Sequence, residues 1–378
     1  MTVKDVSAIA KSLRLLAERG DPDAQYRLGL LYASGRGVEQ SARQALAWYR
    51  QAAEQGLPEA QCVLGNKYAG GQGVTKNLRA AFSWYLKAAE QGYDRAQYHL
   101  GEMYENGHGT DPDAMQAEYW YFQAAEQGDA GAQLKLARMF EGSQRYMATT
   151  WFMKAAEQGV AEAQYMLGTK YASGHGVRKD PLKAFDFYLK AAKQGYLQAQ
   201  WQAALCYENA SGVDQDDAEA LAWLTKAAKA DFAPAQAALG LRYANGLGVT
   251  QSYSKAIFLW KKAAKQGDAE AQHNLAYLLN NGIGVAKDVK QAESWYRKAA
   301  DQGIAEAQCI LGLMCARGEV AHIVDYVEAY MWFSVSAATG NQASAANLKY
   351  AETLMTSDQI SEAKQRAIEW TEAFNQRR

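Results

Sequence analysis

Small and apolar residues recur along this chain at a nearly constant interval, which indicates a repeat protein. Most intervals between the marker residues are 36 residues long, with one of 31 and one of 37. Periods of this length are typical of stacked helical repeats, so the pattern predicts nine repeats over residues 21–340. The markers are Gly20, Gly56, Gly92, Gly128, Gly159, Gly195, Asp231 in place of a glycine, Gly267, Gly303 and Gly340.

Within each repeat, the apolar positions form two runs with the spacing of amphipathic helices. Counted from the residue after each marker, position 4 is alanine and position 5 is glutamine in all nine repeats, and position 8 is leucine in eight. Position 12 is usually tyrosine and position 28 usually tryptophan. We therefore predict a hairpin of two helices, in which alanine allows close approach and leucine, tyrosine and tryptophan fill the remaining space. One hairpin cannot bury both of its faces, so neighbouring repeats must stack.

A short glycine-rich loop joins the two predicted helices of most repeats, as at residues 34–38. Gly35 suits the left-handed conformation that often ends a helix, where a Cβ atom is costly. We expect the loop valine, Val38, to pack back onto the core.

Residues 57–92 show the complete pattern of one repeat. It consists of Ala60-Gln61, Leu64-Gly65, Tyr68, Gly71-Gln72-Gly73-Val74, Trp84-Tyr85, Lys87-Ala88-Ala89 and Gln91-Gly92. This pattern resembles the Sel-one-like repeat family, which is related to tetratricopeptide repeats. The resemblance implies an all-α fold, an α/α superhelical solenoid of about nine helix-turn-helix repeats, and a role as an adaptor or scaffold. It names no partner.

The predicted organisation has three parts. Residues 1–20 are expected to form an N-terminal capping helix, residues 21–340 the nine repeats, and residues 341–378 C-terminal capping helices. Caps of this kind cover the terminal faces that stacking leaves exposed. The repeat at residues 129–159 is five residues shorter and lacks the glycine loop, but we expect it to keep both helices. Thr356 is predicted to cap the last helix.

Charge and hydropathy argue against nucleic-acid and membrane partners. The 378 residues include 40 basic and 41 acidic side chains, a net charge of −1, whereas nucleic-acid binders usually have a clear basic excess. The sequence has no run of about 18 apolar residues, so no membrane insertion is expected. Lys4, Asp5 and Lys11 interrupt the apolar segment that a signal peptide needs, which favours a cytoplasmic location.

Residue types that carry catalysis or bind metals show no recognisable arrangement. The sequence has no P-loop, zinc-protease or nucleophile-elbow motif, so we predict no enzymatic activity and no cofactor. His108 and His175 share one loop position, but zinc takes three or four ligands, and we predict solvated residues and no metal site. The four cysteines lack the spacing of a disulfide framework, and Cys309 and Cys315 are predicted to be reduced core residues.

A partner-binding surface is predicted on the side of the first helix that carries positions 3, 6, 10 and 13, opposite the alanine and leucine positions. The resemblance implies that this side lines a concave groove. Its residues differ strongly between repeats, being polar in the first half and apolar in the second. A groove about 90 Å long suits an extended peptide or a partner helix. The residues predicted to bind a protein or peptide partner are Tyr98, Glu102, Arg138, Tyr165, Trp201, Leu205, Leu241, His273 and Tyr277.

The aromatic residues on this side have two interpretations. The tyrosines at position 6, such as Tyr98 and Tyr165, could pack between helices, because apolar helix positions are more often core than contact. Trp201 differs, since seven of the ten tryptophans occupy position 28 and Trp201 alone occupies position 6. We predict that Trp201 is an exposed binding anchor near Leu205 and Leu241, because tryptophan is enriched at binding hot spots.

These observations favour a non-catalytic scaffold that binds a peptide, helix or protein partner in the groove. One alternative is a neutralising or regulatory protein with a single cognate partner, such as a toxin immunity protein. A second is the hydrolase or β-lactam-binding activity that the resemblance links to a cysteine-rich branch of the family. That branch has paired cysteines in every repeat, which this chain lacks.

Overall fold

The computed structural model describes residues 3–319 and 323–377, and every regular element in this part of the chain is a helix. The chain forms two compact units, one ending at Phe187 and one starting at Tyr188, and the boundary lies within α11 (Pro181–Lys193). The first unit contains α1 (Val3–Glu18), α2 (Pro22–Ser34), α3 (Ala42–Glu54), α4 (Pro58–Gly70), α5 (Leu78–Glu90), α6 (Asp94–Asn106), α7 (Ala114–Glu126), α8 (Ala130–Phe140), α9 (Arg145–Glu157) and α10 (Ala161–Ser173). The second contains α12 (Leu197–Glu208), α13 (Asp217–Lys229), α14 (Ala233–Asn245), α15 (Tyr253–Lys265), α16 (Ala269–Asn281), α17 (Val289–Asp301), α18 (Ala305–Ala316), α19 (Tyr326–Ala338), α20 (Gln342–Glu352) and α21 (Ser357–Gln376).

Consecutive helices pack against each other from α1 to α10 and from α12 to α20. The even-numbered helices from α2 to α18 are the first helices of the repeats, and the odd-numbered helices from α3 to α19 are the second helices. The predicted all-α fold of stacked helix pairs is therefore confirmed. At the ends of the chain, α1 packs against α2, while α20 and α21 both pack against α19.

Side chains and glycines define the helix ends as the sequence predicts. Gly35 has a φ of 70° and its N–H donates to the Leu31 carbonyl, as expected for a left-handed helix cap. Val38 is half-buried against the core, which confirms the expected packing of the loop. Thr356 and Gln359 form a reciprocal capping box at the start of α21.

The most deeply buried aromatic side chain of most repeats is the residue after the tryptophan position, which we call the inner residue. Tyr85, an inner residue, is only 3% exposed, and a Cβ atom on Gly65 would lie 2.5 Å from its ring. The glycine therefore makes room for the ring. Tryptophan at position 28, the outer residue, is fully buried only at Trp151 and Trp332. The outer tryptophans Trp48, Trp84, Trp120, Trp223 and Trp295 are half-buried, so the prediction that tryptophan fills the interior is only partly correct.

The glutamine of position 5 joins consecutive repeats. In each of the nine repeats its amide nitrogen donates to the backbone carbonyl eight residues earlier, in the last turn of the preceding helix. The same carbonyl also accepts a hydrogen bond from the backbone N–H of the marker residue, as at Gly56, so the glutamine uses its second lone pair. The oxygen of Gln61 also accepts a bond of 2.8 Å from Gln91, at the end of the same repeat. Because an amide both donates and accepts, glutamine can connect three segments at once.

The shortened repeat keeps both of its helices, α8 and α9, as predicted. Near the missing loop, the side chain of Lys170 on α10 is almost completely buried. Its ammonium group lies 2.8 Å from a carboxylate oxygen of Glu141 and 5.4 Å from the ring centre of Phe152. The ion pair offsets part of the cost of burying this charge.

Candidate partner-binding face

The side of the first helices that carries positions 3, 6, 10 and 13 is called the helix-one face below. Alanine, glutamine and leucine hold the opposite side of each first helix in the core, so positions 3, 10 and 13 are mostly exposed or half-buried, while position 6 is half-buried or, at Cys62 and Cys309, buried. Within a unit, the faces of neighbouring repeats touch. Lys135 on α8 pairs with Glu105 on α6 at 2.7 Å, and Arg242 on α14 pairs with Glu208 on α12 at 2.8 Å.

In the first unit, Glu102 on this face is bound by two neighbours. The Tyr98 hydroxyl donates to one carboxylate oxygen at 3.0 Å, and Nδ1 of His99 lies 3.2 Å from the other. The hydrogen bond with His99 is the main reason that the pKa of Glu102 is below its ordinary value, and the bond from Tyr98 contributes in the same direction. The carboxylate is thus held in its charged form by residues of its own helix.

The next carboxylate, Glu105, is held by the following helices. It accepts hydrogen bonds from the Tyr121 hydroxyl at 2.6 Å and from Lys135 at 2.7 Å. Burial raises the pKa of Glu105, but these two bonds outweigh burial and leave the pKa below its ordinary value. Arg138 forms an ion pair with Glu162 of the next repeat. Three predicted binding residues, Tyr98, Glu102 and Arg138, therefore already have intramolecular partners, and so does Glu105.

In the second unit, the same face carries a row of apolar residues at position 10. Leu241 on α14 is 45% exposed and Tyr277 on α16 is 48% exposed. Leu205 on α12 and Leu313 on α18 occupy the same position and are half-buried. The repeat frame places these residues in line, one per first helix. Leu313 extends the predicted set, and its position in the repeat was the signal that could have identified it.

Trp201 is half-buried, whereas the sequence analysis expected an exposed ring. It packs against a core cluster that includes Ala204 and Leu224. In this repeat the inner residue is Leu224, a member of that cluster, which is smaller than the tyrosine found in most other repeats. Tyr165 on α10 is also half-buried. Whether either residue binds a partner stays a prediction.

Three polar atoms of the eighth repeat are buried without a hydrogen-bond partner among the described residues. They are Nδ1 of His273, the side-chain oxygen of Asn280 and the hydroxyl of Tyr296. The corresponding inner tyrosines of two other repeats are satisfied, since Tyr85 donates to Asn66 at 2.7 Å and Tyr121 to Glu105. Asn66 and Glu105 occupy positions 10 and 13 of their repeats. Because Tyr296 is the inner residue of its own repeat, we expect its hydroxyl to face positions 10 and 13 of the helix-one face.

Burial controls the titration of this cluster. It lowers the pKa of His273, so the imidazole is neutral near pH 7. Burial and the neighbouring Tyr277 raise the pKa of Tyr296, so its hydroxyl keeps its proton. The ring centres of His273 and Tyr296 are 5.7 Å apart. The repeat therefore offers uncharged hydrogen-bonding groups beneath the exposed ring of Tyr277. Sequence reasoning named His273 but missed Tyr296, although its place beside an outer tryptophan marked it as an inner residue.

The cysteines are buried and free, including Cys309 and Cys315, as predicted. Burial raises the pKa of Cys62 to about 12, that of Cys206 to about 11 and that of Cys315 to about 12. Their thiols are therefore protonated at neutral pH and are poor nucleophiles.

The described part of the chain contains neither a metal-ligand cluster nor a membrane-spanning helix. In residues 3–319 and 323–377, no group of three or more His, Cys, Asp and Glu side chains could hold a metal ion. His108 and His175 are both exposed. None of the helices in these ranges combines the length and the apolar character needed to cross a membrane.

The family model of the Sel1 repeat matches nine segments in succession, which together span residues 22–341. The chain belongs to the Sel1 repeat family. This is the family that the sequence pattern resembles, and its helical repeats typically mediate interactions between proteins. The matched segments of this Sel1 repeat protein are residues 22–57, 58–93, 94–129, 130–160, 161–196, 197–232, 233–268, 269–304 and 305–341.

Two solved structures are similar to this Sel1 repeat protein over most of their length. One is a protective antigen of uropathogenic Escherichia coli strains that displays an SLR fold, with 29% identity, a TM-score of 0.66 and coverage of 97% of this chain and 95% of that one. The other is a Sel1 repeat protein from Oxalobacter formigenes, with 33% identity, a TM-score of 0.62 and coverage of 80% and 89% respectively. No curated protein matches the chain.

Proposed function

We propose that this Sel1 repeat protein is a non-catalytic scaffold that binds a helix of a partner protein along the helix-one face of α12, α14, α16 and α18. The exposed pair Leu241 and Tyr277 carries this proposal. Both occupy position 10 in consecutive repeats, where their exposure leaves apolar surface in contact with water. A contiguous exposed apolar row on a helical scaffold is typical of a protein-binding surface.

The spacing of the row suits a partner helix. First helices of consecutive repeats are separated by about 10 Å, the usual distance between packed helices. Seven residues of an α-helix rise about 10.5 Å, so apolar residues seven apart would meet successive position-10 side chains. The partner we propose therefore has an apolar stripe with a seven-residue period.

The unpartnered polar atoms beneath Tyr277 support the same location. An unsatisfied buried polar group costs about 1–3 kcal/mol, and because these atoms are buried, a partner recovers part of that cost only where its docking displaces the side chains that cover Tyr296 or His273. In the first unit the corresponding atoms of Tyr85 and Tyr121 are already bonded. A polar side chain of the partner, seated beside Tyr277, would add specificity to the apolar contact.

Catalysis is not part of the proposal. A cysteine nucleophile needs a thiolate, and burial keeps the thiols of Cys62, Cys206 and Cys315 protonated. The carboxylates Glu102 and Glu105 have pKa values below their ordinary range, the opposite of what a general acid needs.

The test compares the same substitution in the two units. Leu30 on α2 is the position-10 residue of the first repeat and is 43% exposed, close to the 45% of Leu241. A partner would be captured from the native host with the unchanged protein and then titrated against Leu241→Glu, Tyr277→Glu and Leu30→Glu. We expect the first two to weaken binding at least about tenfold, as hot-spot changes do, and Leu30→Glu to have little effect. Equal loss with all three would contradict the proposed location.

A further inference from the structure

Four of the seven outer tryptophans share a second feature, a lysine stacked on the ring. The lysine three residues later lies with its ammonium group 4.1–4.9 Å from the ring centre in four repeats. This contact covers the outward side of the half-buried ring. The pairs are Trp84 with Lys87, Trp151 with Lys154, Trp223 with Lys226, and Trp295 with Lys298.

The seventh repeat lacks this arrangement. Its outer residue is Leu259, and the tryptophan has moved to the inner position, as Trp260. The Trp260 ring is buried against Gly240 and donates to the Ala237 carbonyl at 2.9 Å. Lys262, the lysine that would cover an outer tryptophan, instead lies 5.4 Å from the ring centre of Phe258.

The missing ring leaves a cleft of about 340 Å³ between α13 and α15, with α14 as its floor. The floor is apolar and contains Leu239 and Tyr243, while the exposed ring of Phe258 and the side chain of Leu259 form one wall. The volume is near the lower end of the range of ligand pockets, about 300–1,000 Å³. The cleft is lined by Thr225, Ala228, Lys229, Leu239, Tyr243, Lys255, Phe258, Leu259 and Lys262.

The rim of the cleft is positively charged. Lys229, Lys255 and Lys262 surround the opening, and α15 carries four lysines and no acidic residue. Asp231 lies 3.6 Å from Lys262 and offsets one charge. Across the described chain, no carboxylate lies within ion-pair distance of Lys229 or Lys255. Lys255 stacks on the ring of Tyr243, with its ammonium group 4.9 Å from the ring centre, and neither lysine has its charge offset by a carboxylate.

We propose that this cleft binds an acidic segment of a partner protein, which inserts an aromatic side chain where most other repeats carry their own outer tryptophan. The aromatic ring would pack on Leu239 and Tyr243. Flanking carboxylates would pair with Lys229 and Lys255, giving charge complementarity at the rim.

The cleft is separate from the helix-one face. Leu239 and Leu241 are two residues apart on α14, which places them about 200° apart around the helix. Leu239 lines the cleft and Leu241 belongs to the apolar row, so the two surfaces lie on different sides of α14. This inference therefore does not depend on the proposed function, and variants of one surface leave the other intact.

The test uses a fluorescein-labelled synthetic peptide with one tryptophan between two pairs of glutamates, measured by fluorescence anisotropy. Leu259→Trp restores the usual outer residue and fills the cleft. We expect it to weaken peptide binding at least tenfold without lowering the melting temperature. Lys255→Glu with Lys262→Glu should have a similar effect through charge, whereas Lys87→Glu, the corresponding lysine of the second repeat, should have none.

Control peptides separate the two parts of the interaction. Replacing the peptide tryptophan by alanine, or its glutamates by lysines, should each abolish measurable binding. The proposal is wrong if the original peptide fails to bind or binds Leu259→Trp equally well. It is also wrong if the protein sediments with phosphatidylglycerol vesicles and the Leu259→Trp variant sediments with them to the same extent. The lysines would then bind a lipid surface. If Leu259→Trp does not fold, the variant with Lys255→Glu and Lys262→Glu takes its place in the test. Unchanged peptide binding by that variant would then show that the proposal is wrong.

Discussion

The helix-one faces of the two units use the same positions of the same repeat in opposite ways. In the first unit, Glu102 and Glu105 receive hydrogen bonds from tyrosine, histidine and lysine side chains of the protein itself. In the second unit, Leu241 and Tyr277 are exposed, and the Tyr296 hydroxyl beneath them is unpartnered. The repeat frame thus determines where a surface lies, while individual side chains determine whether it is already satisfied or available to a partner.

The inner tyrosines show how small a change of side chain decides whether a buried hydroxyl has a hydrogen-bond partner. Tyr121 and Tyr296 are both fully buried and occupy the same position of their repeats. Position 13 of the repeat is Glu105 in the first case and Asn280 in the second. Asparagine is one methylene shorter than glutamate and carries no charge, and the Tyr296 hydroxyl is left without a partner.

The largest effect should come from Trp201, whose half-buried ring sets it apart from the exposed row beside it. Trp201→Ala should lower the free energy of unfolding by about 2 kcal/mol, roughly half the cost of losing a fully buried aromatic residue. Tyr277→Ala is the control, and its loss should cost less than about 0.5 kcal/mol. Urea denaturation of both variants measures the difference. Equal stabilities would show that Trp201 belongs with the exposed row and not with the core.

A sharper version of the comparison removes only a hydroxyl group. Tyr121→Phe should cost about 1.5 kcal/mol or more, because Glu105 loses a hydrogen bond to a charged group. Tyr296→Phe should be neutral or slightly stabilising, since its hydroxyl has no partner to lose. Chemical denaturation of the two variants provides the test. A comparable loss in both would mean that the Tyr296 hydroxyl is satisfied in solution and would remove one support for the proposed binding location.

A smaller effect, an increase in stability, is expected from a substitution in the sixth repeat, within the second unit. Ala210 has a φ of 52° at the loop position where most repeats have glycine. Ala210→Gly should raise the free energy of unfolding by about 0.5–1 kcal/mol, because alanine is strained in the left-handed region. Gly35→Ala, at the same loop position of the first repeat, should have the opposite effect. A lower melting temperature for Ala210→Gly would contradict the argument from backbone strain.

The smallest effect concerns pH and the polar face of the first unit. The folded-state pKa of Glu102 is below its ordinary value of 4.5, so its contribution is complete above that value and is lost as the pH falls through the folded-state pKa. Glu102→Gln should therefore be less stable than the unchanged protein at pH 6, and the difference should shrink below pH 4.5. Asn280→Ala serves as the control, because this side chain does not titrate. A difference that is independent of pH would rule out the charge as its cause.

The local structure of this protein follows from its sequence alone. Helical spacing of alanine, leucine and aromatic residues, with glycine at helix ends, predicted the helix pairs, because these signals act over one or two turns. The family pattern predicted the number of repeats, and the family model matches nine. Even the cap at Thr356 followed from four consecutive residues.

Only the tertiary structure decided which side chains are buried and which polar atoms have partners. Gln91 bonds Gln61 thirty residues away, and Tyr121 bonds Glu105 on a different helix. Periodicity specifies the side of a helix on which a residue lies, but not the size of the residue that faces it. Trp201 was expected to be exposed and is half-buried because Ala204 and Leu224 give its ring a surface to pack on. Burial depends on such non-local neighbours, which a pattern along one chain does not contain.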